Sequence, residues 1–236
     1  MLSSIVVVTT VPAARHLVYS FAYGNQQTVS ARDAAELDVN NPSGQSIHAT
    51  SGISTYKGAL GDRGTIVVDV RREQPDGGLV VVISEQGEAT RTALPAECVV
   101  DGNTATICDP NVTVNPEEYT LLRFLGANFV DVNRLDAHRH WSVSQQTGGV
   151  DVKADYTIQS ENGGILSITE SRALTQPGAR NVTTGVQTKI RYDLARGIPL
   201  AIDEYVTQRE ERGSGATAST IYQTSLQLAS DAPATP

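Results

Sequence analysis

The sequence predicts a mainly β fold: one long, curved antiparallel sheet that forms a half-open barrel, with a single inserted helix. The composition favours strands and turns, because the 236 residues include 20 Gly and 10 Pro and are rich in Val and Thr. Most segments alternate apolar and polar side chains, which is the periodicity of a half-buried strand. Apolar residues at helical spacing occur in one segment, residues 115–126.

The length of the chain suits one domain. A chain of this size buries roughly 70% of its extended surface, so it needs neither a metal nor a disulfide to fold. We predict a single β-rich domain over residues 1–229 and a disordered tail over residues 230–236, which read SDAPATP.

The N-terminal quarter predicts strands separated by polar loops. Residues 5–8 form a short apolar run that is too short, and lacks the preceding basic residues, for a signal peptide, so we interpret it as the first strand. Residues 17–30 predict a long second strand, and residues 33–43 a loop. Residues 45–57 are rich in Gly and Ser and predict one weak, bulged edge strand.

Two hairpins follow. Residues 65–73 and 79–85 flank a turn in which Asp76, Gly77 and Gly78 supply the required positive φ angles. The second hairpin contains the two cysteines of the chain, Cys98 and Cys108.

A loop centred on Asn103 would place Cys98 opposite Cys108, in the geometry that a disulfide bridges. The predicted disulfide indicates an oxidising, extracytoplasmic compartment. The alternative is two reduced thiols in a cytosolic hairpin. A metal site is disfavoured, because two ligands alone rarely hold zinc.

The predicted helix begins at Asn115, a good N-cap, with Pro116 at the first helical position and Glu118 placed for a capping box. Gly126 is placed to end it. Its apolar stripe contains Tyr119, Leu122 and Leu125, widened by Leu121 and Phe124. So short a helix is unstable alone, so we expect it to pack on the sheet. It either completes the core or forms a lid over a ligand cavity.

From Trp141 onward the chain predicts consecutive long strands joined by hairpins. On one of them, Val186, Ile190 and Tyr192 share one face. On the next, Asp203 and Glu204 are adjacent, so one of them is expected to face inward. Long antiparallel strands with one apolar face must close, pair or curl. The inserted helix favours a half-open barrel, and a two-sheet β-sandwich is the alternative.

Charge and hydropathy exclude two classes of partner. The net charge is −8, and no Lys/Arg stripe is present, which argues against nucleic acid. No apolar run reaches the length of a transmembrane segment.

Asp136, His138 and His140 form the pattern D-x-H-x-H. On a strand these side chains would point to one side and could supply three ligands to a divalent metal. The alternative is a solvated strand edge, and we predict no metal or other cofactor. The chain contains no G-x-S-x-G, H-E-x-x-H, Walker or Rossmann pattern. We therefore predict that the protein is not an enzyme.

The succession of long strands and the inserted helix PEEYTLLRFLG resemble β-rich extracytoplasmic proteins of bacteria. The architecture is similar to that of the unclosed-barrel lipoprotein carriers of the LolA and LprG kind. The resemblance implies a long antiparallel sheet folded around helices, with lipid held in the apolar concavity. It assigns no functional residue to this chain.

The leading hypothesis is a non-enzymatic, exported bacterial protein that binds an apolar or amphipathic, lipid-like ligand or an envelope partner. The predicted lining residues are Tyr119, Leu122, Leu125, Val186, Ile190 and Tyr192. The first alternative is a structural or interaction domain without a ligand, which would expose an apolar patch or a sheet edge to a protein partner. The second is a metal-dependent hydrolase that uses His138 and His140.

Overall fold

A computed structural model gives the structure of the protein. It describes residues 14–31, 37–40, 46–49, 52–56, 61–74, 78–88, 94–101, 105–130, 135–147, 150–176, 181–211 and 217–233. The predicted first strand at residues 5–8 lies outside the described residues.

The described residues form fourteen strands and one α-helix. The strands are β1 (Arg15–Ala31), β2 (Leu37–Asn40), β3 (Ser46–Ala49), β4 (Gly52–Tyr56), β5 (Asp62–Glu73), β6 (Leu79–Gly87), β7 (Ala96–Asp101), β8 (Ala105–Cys108), β9 (His140–Thr147), β10 (Val150–Asn162), β11 (Ile165–Gln176), β12 (Asn181–Asp193), β13 (Ile198–Glu211) and β14 (Thr217–Pro233). The helix α1 (Pro116–Leu122) and a 3-10 turn (Ala127–Phe129) lie between β8 and β9.

Eleven strands form one continuous antiparallel path in the order β8-β7-β6-β5-β1-β14-β13-β12-β11-β10-β9, and β4 adds to the end of β1. Strand β1 joins the two parts of the path, because it pairs with β5 on one side and with β14 on the other. The path does not close among the described strands, since β8 and β9 stand at its opposite ends. This confirms the predicted half-open sheet, and the sandwich alternative is wrong.

The position of α1 follows from this order. Strands β8 and β9 are consecutive in sequence but lie at opposite ends of the sheet. The chain between them must therefore cross the open side of the sheet, and α1 lies on that crossing. Its residues Leu121 and Leu122 are fully buried in the same core as the inward side chains of the strands.

The N-terminus of α1 is as predicted, and its C-terminus is not. The N–H of Asn115 donates to Glu118 Oε2 at 2.7 Å, which is half of the predicted capping box. The helix ends at Leu122, four residues before Gly126. Gly126, at φ +95°, instead fixes the crossing chain, because its N–H donates to the Gly197 carbonyl at 2.8 Å and its carbonyl accepts from the Tyr192 hydroxyl at 2.5 Å.

Five aromatic side chains pack together where the crossing chain meets the sheet. Phe129 makes edge-to-face contacts with Phe124, Trp141, Tyr156 and Tyr192, with ring centroids 5.0 to 5.9 Å apart. Trp141 stacks on Tyr156 at 4.8 Å. Such pairs add to the stability gained by burial. The crossing chain is therefore held in the core at Phe124 and Phe129.

The hairpin predictions are confirmed for β5–β6 and for β7–β8. Cys98 and Cys108 are directly opposite each other in the β7–β8 register and form a disulfide, with Cα atoms 4.0 Å apart. The structure thus contains the predicted bridge.

Three expectations, about a loop, an edge strand and the C-terminal tail, are wrong. The predicted loop at residues 33–43 contains β2, which pairs with β3, and the predicted edge strand at residues 45–57 is two strands, β3 and β4. The predicted tail is strand as far as Pro233, which pairs with Arg15. Asp231 holds it there, since its carboxylate accepts from Arg15 Nε at 2.9 Å and from Arg196 Nη1 at 2.7 Å.

Candidate functional site

A row of mostly polar side chains crosses the concave face of the sheet. The residues are direct neighbours in the registers of five consecutive strands. We call them the polar row: Tyr156, Glu170, Thr188, Glu204 and Thr224. Because side chains alternate between the faces of a sheet, the next inward positions lie two residues away along each strand. We call the side of the row towards Tyr192 the lower concave surface and the opposite side the upper concave surface.

The crossing chain is fixed to the polar row by hydrogen bonds. Arg123, directly after α1, donates from Nη2 to Glu204 Oε2 at 2.7 Å and to Glu170 Oε2 at 3.1 Å. One turn earlier, the Thr120 hydroxyl donates to Glu204 Oε1 at 2.9 Å. The prediction that Asp203 or Glu204 faces inward is confirmed, since Glu204 is buried and Asp203 is exposed.

Glu170 has a full set of donors. Besides Arg123, it accepts from the Thr188 hydroxyl at 2.6 Å and from the Tyr156 hydroxyl at 3.1 Å. Burial raises its pKa, but Arg123, Arg172 and these hydroxyls outweigh burial and hold the pKa of Glu170 below its ordinary value. Glu170 is therefore a buried carboxylate in its charged form.

The arginines around the row have more donors than partners. Arg123 donates hydrogen bonds from Nη2, whereas its buried Nε and Nη1 have no partner among the described residues. Arg172 is the next inward residue of β11 above Glu170. Its Nε lies 3.9 Å from Glu170 Oε1 and is buried without a hydrogen-bond partner in the described part of the chain. Burial, and secondly the charge of Arg123, lower the pKa of Arg172.

The lower concave surface is filled by the core. Ile168, Ile190 and Ile202 are neighbours in register there and have almost no exposed area. They belong to the same apolar cluster as Leu122 and Leu125 of the crossing chain. This part of the structure is a packed interior.

The upper concave surface is less completely buried than the lower one. Directly above the polar row, Arg172, Val186, Val206 and Tyr222 are neighbours in register on four strands. Val186 is only 1% exposed, whereas Val206 and Tyr222 are half-buried. Tyr23 continues the apolar strip by stacking on Tyr222, with centroids 6.3 Å apart.

The six predicted lining residues are therefore divided among three environments. Leu122, Leu125, Ile190 and Tyr192 lie in the packed core. Val186 lies above the polar row, and Tyr119 is 44% exposed on the outer side of α1. Helical spacing identified the apolar stripe, but it gave no indication of which side of the polar row each residue would occupy.

A second group of buried acids lies at the start of α1. Glu85 of β6 accepts from Asn115 Nδ2 at 3.0 Å, and Glu117 and Glu118 are buried beside it. Burial, followed by the charges of Glu117 and Glu118, raises the pKa of Glu85 to about 8. Burial raises the pKa of Glu118 to about 7. These carboxyls hold protons at pH values where surface glutamates do not.

The D-x-H-x-H residues form a turn. Asp136 Oδ1 accepts the N–H groups of His138 at 2.8 Å and His140 at 3.0 Å, and Arg139 between them has φ +59°. The ring of His140 is 3.7 Å from both Asp136 and Asp155. Within the described ranges, no three His, Cys, Asp or Glu side chains are grouped to hold a metal ion. Asp136 therefore has a structural role in this turn.

The outer face of the sheet carries a shallow groove of about 610 Å³. It lies across five strands, and its lining includes the exposed residues Gln187, Asp203 and Tyr205. The groove is open to solvent and lies on the opposite face of the sheet from the side chains of the polar row.

Comparison with known proteins gave no match, either to a protein-family model or to a curated protein. In the part of the chain that the structure describes, no helix has the length and hydropathy needed to cross a membrane. Arg123, Glu170 and Arg172, which sequence reasoning missed, are the residues that organise the concave face. The available signal was the alternation within residues 165–176, which places Glu170 and Arg172 on the apolar face of β11.

Proposed function

We propose that this protein is a non-enzymatic binding protein that holds the apolar part of an amphipathic, lipid-like ligand against its upper concave surface. The observation that carries the proposal is the difference between the two sides of the polar row. Below the row the sheet is fully covered, whereas above it Val206 and Tyr222 point into the concavity and retain exposed area.

Apolar side chains on a concave surface favour a small ligand over a flat protein partner. A curved sheet surrounds a bound hydrocarbon chain and buries most of the surface of that ligand, as ligand sites commonly do. The strip from Val186 to Tyr23 crosses four strands, or about 14 Å at 4.7–4.9 Å per strand. A strip of this length matches an extended hydrocarbon chain better than a compact metabolite.

The same proposal places the protein outside the bacterial cytoplasm. The Cys98–Cys108 disulfide supports this compartment, since such bridges persist in oxidising surroundings. The half-open sheet with a crossing helix also suits a function like that of the unclosed-barrel lipoprotein carriers.

A pair of variants on β13 tests the binding surface. Val206→Glu adds a carboxylate to the upper concave surface, and Tyr205→Glu adds the same group one residue away on the outer face. With N-phenyl-1-naphthylamine as the apolar probe, we expect Val206→Glu to weaken binding about tenfold or more, because a charge is poorly tolerated against an apolar ligand. Tyr205→Glu should bind as the unaltered protein does. Equal affinity in both variants, or no binding by the unaltered protein, would contradict the proposal.

One observation favours an interaction domain as the second candidate. Ile107, on the end strand β8, is 68% exposed, and exposed apolar side chains at a sheet edge promote pairing with another chain. This candidate predicts self-association that Ile107→Lys abolishes. Sedimentation equilibrium of both proteins measures it, and a monomer at all concentrations would count against self-association.

A further inference from the structure

We propose that Arg172 binds the acidic head group of the ligand, so that the ligand class is a long-chain amphiphile with a carboxylate or phosphate head. This inference rests on the proposed function and makes it more specific. It assigns the head group to one end of the apolar strip and the hydrocarbon chain to the remainder.

Arg172 lies at one end of the apolar strip. Arg172 is opposite Val186 in the β11–β12 register, and Val206 and Tyr222 follow on the next two strands. A molecule lying along this strip would therefore have its polar end at the guanidinium. The side chain of Arg172 is 20% exposed although its Nε is buried, so an anion in the concavity would meet the exposed part of the guanidinium.

Glu170 has hydrogen-bond donors around it, whereas the Nε of Arg172 lacks an acceptor among the described residues. Glu170 is occupied by Arg123 and by the hydroxyls of Thr188 and Tyr156. Arg172, by contrast, approaches Glu170 no closer than 3.9 Å and has a buried Nε without a partner among the described residues. A buried donor without an acceptor is costly. A carboxylate or phosphate would supply acceptors to the guanidinium, whose fork matches these groups with two parallel hydrogen bonds.

The surrounding charges permit an additional anion. Arg123 and Arg172 balance Glu170 and Glu204, so the group has no net charge. Arg123 forms hydrogen-bonded ion pairs with both glutamates, and those pairs lie on the helix side of the row. An anion above Arg172 would therefore lie next to a guanidinium that forms no hydrogen-bonded ion pair with Glu170 or Glu204.

Binding of two ligands that differ only at the head tests the inference. Palmitate and hexadecanol have chains of the same length, and only palmitate is an anion. By isothermal titration calorimetry at pH 8, we expect the protein to bind palmitate about tenfold to a hundredfold more tightly than hexadecanol. In Arg172→Gln the two affinities should become equal. In Arg191→Gln, which removes an exposed arginine from the outer face of β12, the preference should persist.

The two affinities, for palmitate and for hexadecanol, are compared within the same protein. A general loss of stability in Arg172→Gln would weaken both and would not by itself make them equal. Equal binding of both ligands by the unaltered protein would overturn the role of Arg172 and leave the proposed function standing. Failure to bind either ligand would overturn both. Hexadecyl phosphate is the third ligand, and its affinity relative to palmitate identifies which of the two acidic heads the site prefers.

Discussion

Arg123 Nη2 lies 2.7 Å from Glu204 Oε2, although the two residues are 81 positions apart in the chain. This contact joins the end of α1 to the middle of β13 at the level where the packed lower core ends. Burial of such a pair does not by itself guarantee stability. Its effect here is to set the position of the crossing chain relative to the polar row.

Removal of the Arg123 guanidinium should be strongly destabilising. Arg123→Met leaves two buried carboxylates, Glu170 and Glu204, without their cation, and we expect a loss of about 3–5 kcal/mol in the free energy of unfolding. Urea denaturation followed by Trp141 fluorescence measures it. Glu161→Gln, which breaks the more exposed Arg139–Glu161 pair, is the control and should cost about 0–1 kcal/mol. Similar losses in both variants would contradict a special role for Arg123.

Stability should fall as the pH rises through the range in which Glu85 titrates. The pKa of Glu85 is about 8 in the folded protein, against an ordinary value of 4.5. Below pH 4.5 both states are protonated, and between 4.5 and 8 the unfolded state releases its proton first, so unfolding is favoured. Glu85→Gln removes this effect and keeps an acceptor for Asn115.

The difference between Glu85→Gln and the unaltered protein isolates this carboxyl from all other titrating groups. At pH 4 the two should unfold with similar free energies. At pH 8.5 the variant should be more stable by an amount on the order of 5 kcal/mol, since the pKa rises from 4.5 to about 8 on folding and each pKa unit corresponds to about 1.4 kcal/mol. A difference that does not vary with pH would show that Glu85 has an ordinary pKa.

Loss of the disulfide should weaken the β7–β8 end of the sheet. The bridge joins residues ten positions apart, and closing so short a loop stabilises the folded state by about 2–3 kcal/mol. The double variant Cys98→Ser with Cys108→Ser should unfold at a correspondingly lower urea concentration. An unchanged midpoint would mean that hairpin pairing alone holds this end.

Substitution by alanine should affect stability differently at two glycines on neighbouring strands. A Cβ at Gly64 would lie 2.0 Å from the Gln86 carbonyl oxygen, whereas a Cβ at Gly24 meets nothing within 4 Å. Gly64→Ala should therefore destabilise by about 1–3 kcal/mol, because backbone atoms of β6 would have to move. Gly24→Ala should be close to neutral, and an equal loss at both positions would refute the steric explanation. Thermal unfolding by circular dichroism measures both.

Local features of this fold could be predicted from the sequence, and long-range ones could not. The cysteine hairpin and the start of α1 depend on residues within ten positions of each other, so spacing and turn chemistry were sufficient. The pairing of Pro233 with Arg15 joins the two ends of the described chain, and no local pattern shows that a polar, Pro-containing segment has such a partner.

The candidate site depends on register across strands. The alternation of Asp203 and Glu204 predicted one inward carboxylate. It did not show that Glu170, Thr188 and Glu204 would align, because a shift of one residue on any strand would point that side chain outward. The predicted lining residues were apolar and inward-facing for the most part, but the polar row separates Val186 from Ile190.

Native mass spectrometry of the unreduced protein, followed by extraction into organic solvent, most directly tests whether the protein binds a lipid-like ligand. We expect a fraction of the protein to carry a lipid-sized adduct that the solvent releases, and negative-ion spectra of the extract should show an acidic head group. After reconstitution with palmitate, the same spectrum should show a one-to-one complex that Val206→Glu forms to a much smaller extent. A bare mass before and after reconstitution would contradict a ligand on the upper concave surface.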